Sequence, residues 1–250
     1  MNNKLTILFI GNSYTNYNSL TKCFEKVVKS IGLEVNIIKL AYGNQFIHDY
    51  INCDKENHFI ELEEIVQNNK IDYAFIQGQS REAIVDYNDF SSSITILINY
   101  LRNYNITPIL YQTWGYPVGY LKLMNEIGCT NTIDMQKQLA VAYQNIANKF
   151  KIKVSPAGEA FAKVFSNNPE KTDLLYASDE NSHPSSIGTY LVALCHFTTI
   201  YNISPLNIKY SYNDFANDDE IIWHVDKINQ ISNQLQKELE ETVHQIILKK

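Results

Sequence analysis

The sequence predicts a three-layer α/β/α sandwich with about five parallel strands, formed by a single domain over residues 1–250. Short runs rich in apolar residues alternate along the chain with longer stretches whose apolar residues recur at helical spacing. This alternation is typical of a parallel sheet that is covered by helices on both faces. The chain also has no internal repeat, no low-complexity segment and no composition shift that would indicate a linker.

The predicted strands are short, as expected for a sheet that is buried on both faces. The first run, residues 5–10, is followed by similar runs at residues 35–40, 73–76, 107–112 and 152–154. The first run is almost continuously apolar, without alternating polar residues, which indicates a strand that contacts a layer of helices on each side.

The predicted helices lie between and after these strands. The one at residues 132–150 has Asp134 in its first turn and Lys149 in its last, an arrangement that the helix dipole favours. The others are at residues 20–31, 59–66, 90–104, 157–165, 186–201 and 218–249. The last is polar-rich, and we expect it to cover the domain and to offer a surface for a homodimer. Residues 113–131 are predicted to be irregular, and a loop of that length is often functional.

Composition and charge exclude several classes of partner. Twenty-seven acidic residues against 21 basic ones give a net charge of −6, and no basic stretch could follow a phosphate backbone, so we expect no nucleic-acid partner. The N-terminal apolar run meets Gly11 and Asn12 instead of a signal-peptide cleavage site, and no stretch approaches the roughly 20 apolar residues that span a bilayer. We therefore expect a cytoplasmic protein with no membrane partner. The four cysteines form no C-x-x-C pair, which argues against zinc and against a disulfide framework.

The first chemical motif is Gly11-Asn12-Ser13-Tyr14, between the first strand and the first helix. Ligands of parallel α/β sheets bind at the carboxyl ends of the strands. A serine at this position therefore presents its hydroxyl at the rim of the sheet, where a backbone amide can stabilise negative charge. Helix capping is the alternative role of Ser13.

The second motif is the segment from Asp179 to Ser185, which contains His183-Pro184 directly before a predicted helix. Histidine suits the role of general base because its pKa lies near neutrality. Pro184 prevents the helix from extending backwards and so leaves His183 on a loop. The alternative is a surface histidine that precedes a helix.

Together, the two segments resemble the first and last sequence blocks of the SGNH (GDSL-like) hydrolase superfamily. Its members carry a G-D-S or G-N-S turn near the N-terminus and a D-x-x-H-P block near the C-terminus. The match extends from Gly11 to His183 and has the order of the family, with the nucleophile first. The resemblance implies a flavodoxin-like SGNH hydrolase fold, with Ser13 as nucleophile and His183 as general base.

The resemblance also implies an oxyanion hole formed by the amides of Ser13 and Gly43 and the side chain of Gln79. Gly43 follows the second predicted strand, where a turn that needs a positive φ is a compatible role. The family's G-x-N-D block is replaced here by Gln77-Gly78-Gln79-Ser80. Gln79 carries the same amide donor as asparagine, one methylene further out, which changes the geometry. Q-x-Q-S variants resemble bacterial branches that act on carbohydrates, including acetylesterases.

Two acidic residues, Asp179 and Glu180, are candidates for orienting the imidazole of His183. Glu180 has the D-x-x-H spacing of the family, whereas Asp179 has the residue type. Candidate substrate contacts are Asn12, Asn44, His48, Trp114 and Tyr116. For His48 the alternative role is a partly exposed position on a helix. Trp114 and Tyr116 are expected to form a wall that stacks on sugar faces, and the alternative is that they pack within their own loop.

These features predict a serine esterase that hydrolyses an ester through an acyl-enzyme and requires no metal or organic cofactor. The expected substrate is a small-molecule or carbohydrate ester, for which the resemblance suggests O-acetyl groups on sugars. Two alternatives remain open: a non-catalytic carbohydrate-binding protein on a hydrolase scaffold, and an acyltransferase. A nucleotide-binding domain fits less well, because the turn after the first strand lacks a glycine-rich phosphate cradle.

Overall fold

The computed structural model describes residues 4–52, 58–167, 169, 172–177, 182–225 and 227–249. Its centre is a five-stranded sheet in which every neighbouring pair is parallel. The strands are β1 (Leu5–Gly11), β2 (Val35–Ala41), β3 (Tyr73–Gln77), β4 (Thr107–Tyr111) and β5 (Lys153–Ser155), in the order β2-β1-β3-β4-β5. The predicted fold class is therefore confirmed, and all five predicted strands are present.

Twelve α-helical segments flank this sheet within the described residues. They are α1 (Ser13–Asn16), α2 (Leu20–Ser30), α3 (His58–Asn68), α4 (Glu82–Val85), α5 (Tyr87–Asn103), α6 (Leu121–Glu126), α7 (Thr132–Phe150), α8 (Ala157–Asn167), α9 (Thr172–Leu175), α10 (Ser186–Tyr201), α11 (Tyr212–Ala216) and α12 (Asn233–Leu248). None of them is both long enough and apolar enough to cross a membrane.

The sheet separates two apolar cores, as the alternation of side chains along a strand requires. Ile7 and Phe9 of β1 belong to the core beneath α2, α8, α10 and α12. Leu8 and Ile10 point to the opposite face and pack in the core beneath α3, α5 and α7. Helix α10 is buried over nearly its whole length, which explains why its sequence is apolar on all sides.

The prediction of one helix over residues 218–249 is wrong. The described part of this region begins with an irregular segment, and α12 starts only at Asn233, where Ser232 caps it by accepting the N–H of Leu235. Within the irregular segment, the N–H of Ile231 donates to the side chain of Asn213 at 2.9 Å. Tertiary hydrogen bonds of this kind replace the helical ones and leave no signal in the sequence periodicity.

Residues 113–131 are less irregular than predicted, because a 3₁₀ turn (Val118–Tyr120) leads directly into α6. Six residues give too few turns for a helical period to be recognised in the sequence. Three cysteines, Cys23, Cys129 and Cys195, are buried free thiols, and Cys53 lies outside the described residues.

Candidate active site

Ser13 and His183 meet at the carboxyl edge of the sheet, although they are 170 residues apart in sequence. Ser13 is the first residue of α1, directly after β1, and His183 lies on the loop before α10. The Nε2 atom of His183 lies 2.8 Å from the Oγ atom of Ser13. The two predicted residues therefore have the hydrogen-bonding geometry of a nucleophile and its base.

The turn that carries Ser13 is held by the buried amides of Asn12 and Gln77. Gln77 Oε1 accepts the backbone N–H of Asn12 at 3.0 Å and the hydroxyl of Thr15 at 2.9 Å. Gln77 Nε2 donates to Asn12 Oδ1 at 2.8 Å, and the same oxygen caps α1 by accepting the N–H of Tyr14. Because Asn12 Nδ2 donates to the carbonyl of Gln45, the whole amide of Asn12 is engaged within the protein. Asn12 lines the cavity, and these contacts give it a positioning role.

Three successive carbonyl groups fix the loop that carries His183. The Ser182 carbonyl accepts from Trp114 Nε1 at 2.9 Å, and the His183 carbonyl accepts from the N–H of Ala177 at 2.9 Å. The Pro184 carbonyl accepts from Asn18 Nδ2 at 3.1 Å. Since the donors come from three different segments, the backbone at the histidine is held from three directions.

Aromatic rings cover the imidazole of His183. Tyr17 stacks on it with ring centroids 3.8 Å apart and an interplanar angle of 3°, and Tyr14 approaches it edge-on at 5.5 Å. His224 stacks on Tyr17 and accepts the backbone N–H of Asn18 through Nδ1. Asn18 has a left-handed backbone with φ of 49°, which is uncommon outside glycine and is tolerated best by asparagine and aspartate.

Ser13 and His183 open into a cavity of about 280 Å³. Its wall comes from the loops after β1, β2 and β3, the region around α6, and the loop before α10. The lining residues are Asn12, Ser13, Tyr14, Asn44, Gln79, Ser80, Arg81, Tyr116, Tyr120, Leu123, Ser182 and His183. A concave site with a few convergent polar groups is the expected form of a small-molecule site.

The structure places the three predicted oxyanion donors differently with respect to the cavity. Gln79 lines it, and because Gln79 Oε1 accepts the N–H of Arg81 at 3.0 Å, the amide nitrogen is the end left for a ligand. The residue of the β2 loop in the lining is Asn44, with a φ of 60°, whereas Gly43 is exposed beside it. The expected positive φ therefore belongs to Asn44, and Gly43 does not have one.

A buried carboxylate joins the loops after β2 and β3. Glu82 is 2% exposed and accepts the N–H of Gln79 at 2.8 Å and the N–H of Ile47 at 3.1 Å. Burial raises the pKa of its carboxyl to about 7, although the hydrogen bonds from these two N–H groups act in the opposite direction. Glu82 therefore connects the segment that carries Gln79 with the segment that follows Asn44.

Among the described residues, one group of side chains has the spacing of metal ligands. His48, Glu82 and Asp89 each offer an atom within 4.8 Å of the others. Their contacts are already made within the protein, since Glu82 accepts backbone N–H groups and His48 Nδ1 lies 2.9 Å from Asp89 Oδ2. His48 was predicted to contact substrate, but it is not among the residues that line the cavity.

The two predicted aromatic contacts have different positions. Tyr116 lines the cavity, and its hydroxyl lies 2.7 Å from Ser80 Oγ. Trp114 is fully buried between the rings of Tyr14 and Phe161, each stacked on it at 4.4 Å. The prediction that Trp114 forms a sugar-stacking wall is wrong, because both faces of its ring are covered by protein.

Two predicted residues cannot be placed, and several cavity residues were not predicted from the sequence. Asp179 and Glu180, the two candidates for orienting His183, lie outside the described residues. Arg81, Ser80 and Ser182 were missed although each directly adjoins a predicted site residue. Tyr120 and Leu123 could have been found only by recognising the short turn and helix within residues 113–131.

Neither a protein-family model nor a curated protein matches the sequence. Solved structures do match the fold. A candidate SGNH hydrolase from Slackia heliotrinireducens is 23% identical, with a TM-score of 0.66 over 79% of this chain and all of that one. A DUF4886 family protein from Bacteroides uniformis is 18% identical, with a TM-score of 0.74 over 98% and 95% of the two chains.

An acetylxylan esterase from Geobacillus stearothermophilus is also similar. It is 14% identical, with a TM-score of 0.57 over 80% of this chain and 97% of that one. At these identities the likeness concerns the backbone architecture. The parallel sheet, its strand order and these neighbours together show that the chain has the α/β/α fold of the SGNH hydrolases.

Proposed function

We propose that this protein is a serine esterase of the SGNH type. The observation that carries the proposal is the 2.8 Å contact between Ser13 Oγ and His183 Nε2 at the wall of a cavity. A serine hydroxyl is a weak nucleophile unless a base removes its proton, and an imidazole at hydrogen-bonding distance supplies that base. Helix capping does not account for this contact, because Asn12 is the residue that caps α1.

The proposed reaction follows the logic of other serine hydrolases. His183 Nε2 takes the proton of Ser13 as its Oγ attacks the ester carbonyl, and the imidazolium then protonates the leaving alcohol. Water, deprotonated by His183, attacks the acyl-enzyme, and the proton returns to Ser13 as the acid is released. Either Asp179 or Glu180 holds the imidazole in the tautomer that leaves Nε2 free to accept a proton.

Three donors are proposed to stabilise the tetrahedral oxyanion: the Ser13 N–H, the Gly43 N–H and the Nε2 of Gln79. The Ser13 N–H lies at the start of α1, where the first N–H groups have no partner within the helix. The orientation of the Gln79 amide supports its role, because the oxygen is bonded to Arg81.

The proposed substrate is an ester of a carbohydrate, with an acetyl group as the acyl half. Two observations support this choice. One structural neighbour is an acetylxylan esterase, and hydroxyl groups of Tyr14, Ser80, Tyr116 and Ser182 lie together at the cavity. Hydroxyl groups both donate and accept hydrogen bonds, which suits a polyhydroxylated ligand.

The test is p-nitrophenyl acetate hydrolysis, together with labelling by a fluorophosphonate and mass spectrometry of the labelled peptide. We expect turnover and a covalent adduct on Ser13 in the wild type, and neither in Ser13→Ala. His183→Ala should also lose turnover. Ser92→Ala and His244→Ala, which change residues away from the cavity, serve as matched controls. Labelling or turnover that persists in Ser13→Ala would contradict the assignment.

Gln79→Ala tests the oxyanion hole. Removal of one oxyanion donor costs on the order of 10²-fold in kcat in other enzymes, and we expect a loss of that size here with a smaller effect on KM. A Gln79→Ala variant with wild-type kcat would exclude the residue from this role.

Addition of an alcohol acceptor to the p-nitrophenyl acetate assay distinguishes hydrolysis from acyl transfer, since a transferase would form a new ester in place of acetate.

A further inference from the structure

The wall of the cavity contains one arginine, Arg81, for which the described residues provide no carboxylate partner. Arg81 follows Gln79 and Ser80, and it lines the same cavity as Ser13 and His183. Within the described part of the chain, no carboxylate lies within salt-bridge distance of its guanidinium, and none lines the cavity. A cation in this setting can offer its hydrogen bonds to a ligand.

Arg81 can be compared with the other arginine of the chain. The chain has a net charge of −6 and contains only two arginines, Arg81 and Arg102. Arg102 is engaged with its own surroundings, since its guanidinium donates to the carbonyl of Phe150 and lies over the Phe150 ring. Arg81 differs because its backbone is fixed at the cavity through the bond from its N–H to Gln79 Oε1.

The charge of Arg81 is felt at the neighbouring cavity wall. Burial raises the pKa of the Tyr116 hydroxyl, and the positive charge of Arg81 acts in the opposite direction. Tyr116 also lies against Ser80 Oγ at 2.7 Å. Arg81 thus shares the cavity wall with the hydroxyl groups of Ser80 and Tyr116, so a polyhydroxylated ligand with an anionic group would find both kinds of partner there.

We propose that Arg81 binds an oxyanion on the alcohol half of the substrate, a carboxylate or a phosphate, so that the protein prefers anionic sugar esters to neutral ones. The planar guanidinium donates two parallel hydrogen bonds to either group. This inference rests on the proposed esterase function for its substrate, and it defines the substrate class more narrowly: acetylated uronic acids or acetylated sugar phosphates.

Binding is measured first, by NMR titration of the wild type with D-glucuronate, D-glucose 6-phosphate and the neutral D-glucuronamide. We expect at least one anion to bind about tenfold more tightly than the amide, the effect of one or two charge-assisted hydrogen bonds. Added NaCl should weaken the binding of the anions and leave the binding of the amide unaffected. The two anions distinguish a carboxylate site from a phosphate site.

Three variants assign the preference to Arg81. Arg81→Gln should bind the anions and the amide with equal affinity, and Arg81→Lys, which keeps the charge but not the planar fork, should retain part of the preference. Arg102→Gln is the matched control and should keep the full preference. Circular dichroism confirms that each variant is folded. Equal binding of acid and amide by the wild type, no binding of either anion, or a preference that survives in Arg81→Gln would overturn the proposal.

A catalytic comparison separates this inference from the proposed function. Acetate release is measured from O-acetylated glucuronate and from O-acetylated glucuronamide. Tighter binding of the anion without turnover of any ester would refute the esterase and leave the anion site intact. Turnover that depends on Ser13 but shows no preference for the charged ester would support the esterase and refute the role of Arg81.

Discussion

At the scale of single residues, the turn that carries Ser13 depends on a position where no side chain fits. Gly11 ends β1 directly before Asn12 and Ser13. A Cβ atom at Gly11 would lie 2.5 Å from both Gln77 Oε1 and Thr15 Oγ1. These are two of the atoms whose hydrogen bonds hold the turn, so the amide of Gln77 would have to move.

Gly11→Ala is therefore expected to displace the turn that carries Ser13 and to lower kcat for p-nitrophenyl acetate at least tenfold, with a lower Tm. The reason is steric, since a well-packed site has no room for an additional methyl group. Gly119→Ala is a suitable control, because a Cβ there meets no atom within 4 Å and its φ is not positive. Wild-type kcat in Gly11→Ala would show that the Gln77 network does not position Ser13.

Prediction of single residues from the sequence depends on local motifs and carries no information on packing. Ser13 and His183, which the structure brings together, could be singled out because each lies in a short motif at an element boundary. Tyr17, which stacks on the imidazole, could not be found, since its role arises from a contact across 166 positions of the chain. Trp114 was misassigned because the sequence does not reveal whether an aromatic ring in a loop faces solvent or protein.

At the scale of elements, the position of His183 is determined by the segments that form hydrogen bonds with its loop. The indole of Trp114 donates to the carbonyl of Ser182, the residue before His183. The ring itself is stacked between Tyr14 and Phe161, so the donor is held rigidly. Trp114 thus acts through the loop and has no contact with the reacting atoms.

Trp114→Phe keeps an aromatic ring in the stack and removes the N–H. Loss of one hydrogen bond of about 1 kcal/mol corresponds to roughly fivefold, and we expect kcat to fall by about that factor with KM little changed. Fluorophosphonate labelling of Ser13 should slow in parallel, because it depends on the same histidine. If the variant is less stable but is labelled at the wild-type rate, Trp114 stabilises the core and does not position His183.

The elements themselves were largely predictable, and the exceptions have a physical cause. The boundaries of α7 and α10 agree with those predicted, because each helix is long and begins directly after a capping residue, Asn131 or Ser185. The failure at residues 218–249 occurred where polar side chains bond to distant backbone groups, as between Asn213 and Ile231. Helical spacing carries no information about such contacts.

At the scale of the whole molecule, two buried ionisable groups act on stability in opposite directions as the pH changes. Burial raises the pKa of Glu82 to about 7 in the folded protein, from 4.5 when unfolded. The folded state therefore binds the proton first, and the contribution of Glu82 to stability grows as the pH falls from 7 towards 4.5. A substitution that removes this group should remove that gain.

Glu82→Gln is accordingly expected to be more sensitive to acid than the wild type. Between pH 7 and pH 5 the wild type should gain about 2 kcal/mol relative to the variant, because over this range the folded state takes up most of a proton that the unfolded state binds only partly. The pH-independent cost of losing a backbone acceptor cancels in this comparison. The measurement is the free energy of unfolding in urea at both pH values, with Glu64→Gln, a change at an exposed carboxylate of α3, as the control. Parallel pH dependences would refute the raised pKa of Glu82.

His196 has the opposite effect. It lies in α10, fully buried among Phe75, Tyr111 and Phe9, and its Nδ1 is 2.7 Å from Ser155 Oγ. Burial lowers its pKa to about 3, from 6.5 in the unfolded chain. Below pH 6.5 the unfolded state binds a proton that the folded state does not, so stability is lost as the pH falls.

His196→Phe keeps a ring of similar shape in the same aromatic cluster and removes the titration. Between pH 6.5 and pH 5 the variant should lose about 2 kcal/mol less stability than the wild type, measured by urea unfolding. The unpaired hydroxyl of Ser155 lowers its stability equally at both pH values and does not affect the slope. Since Glu82 and His196 oppose each other between pH 4.5 and pH 6.5, their contributions to stability should nearly cancel there. Each single substitution should change the slope of stability against pH in its own direction, and a double variant should have a slope close to that of the wild type.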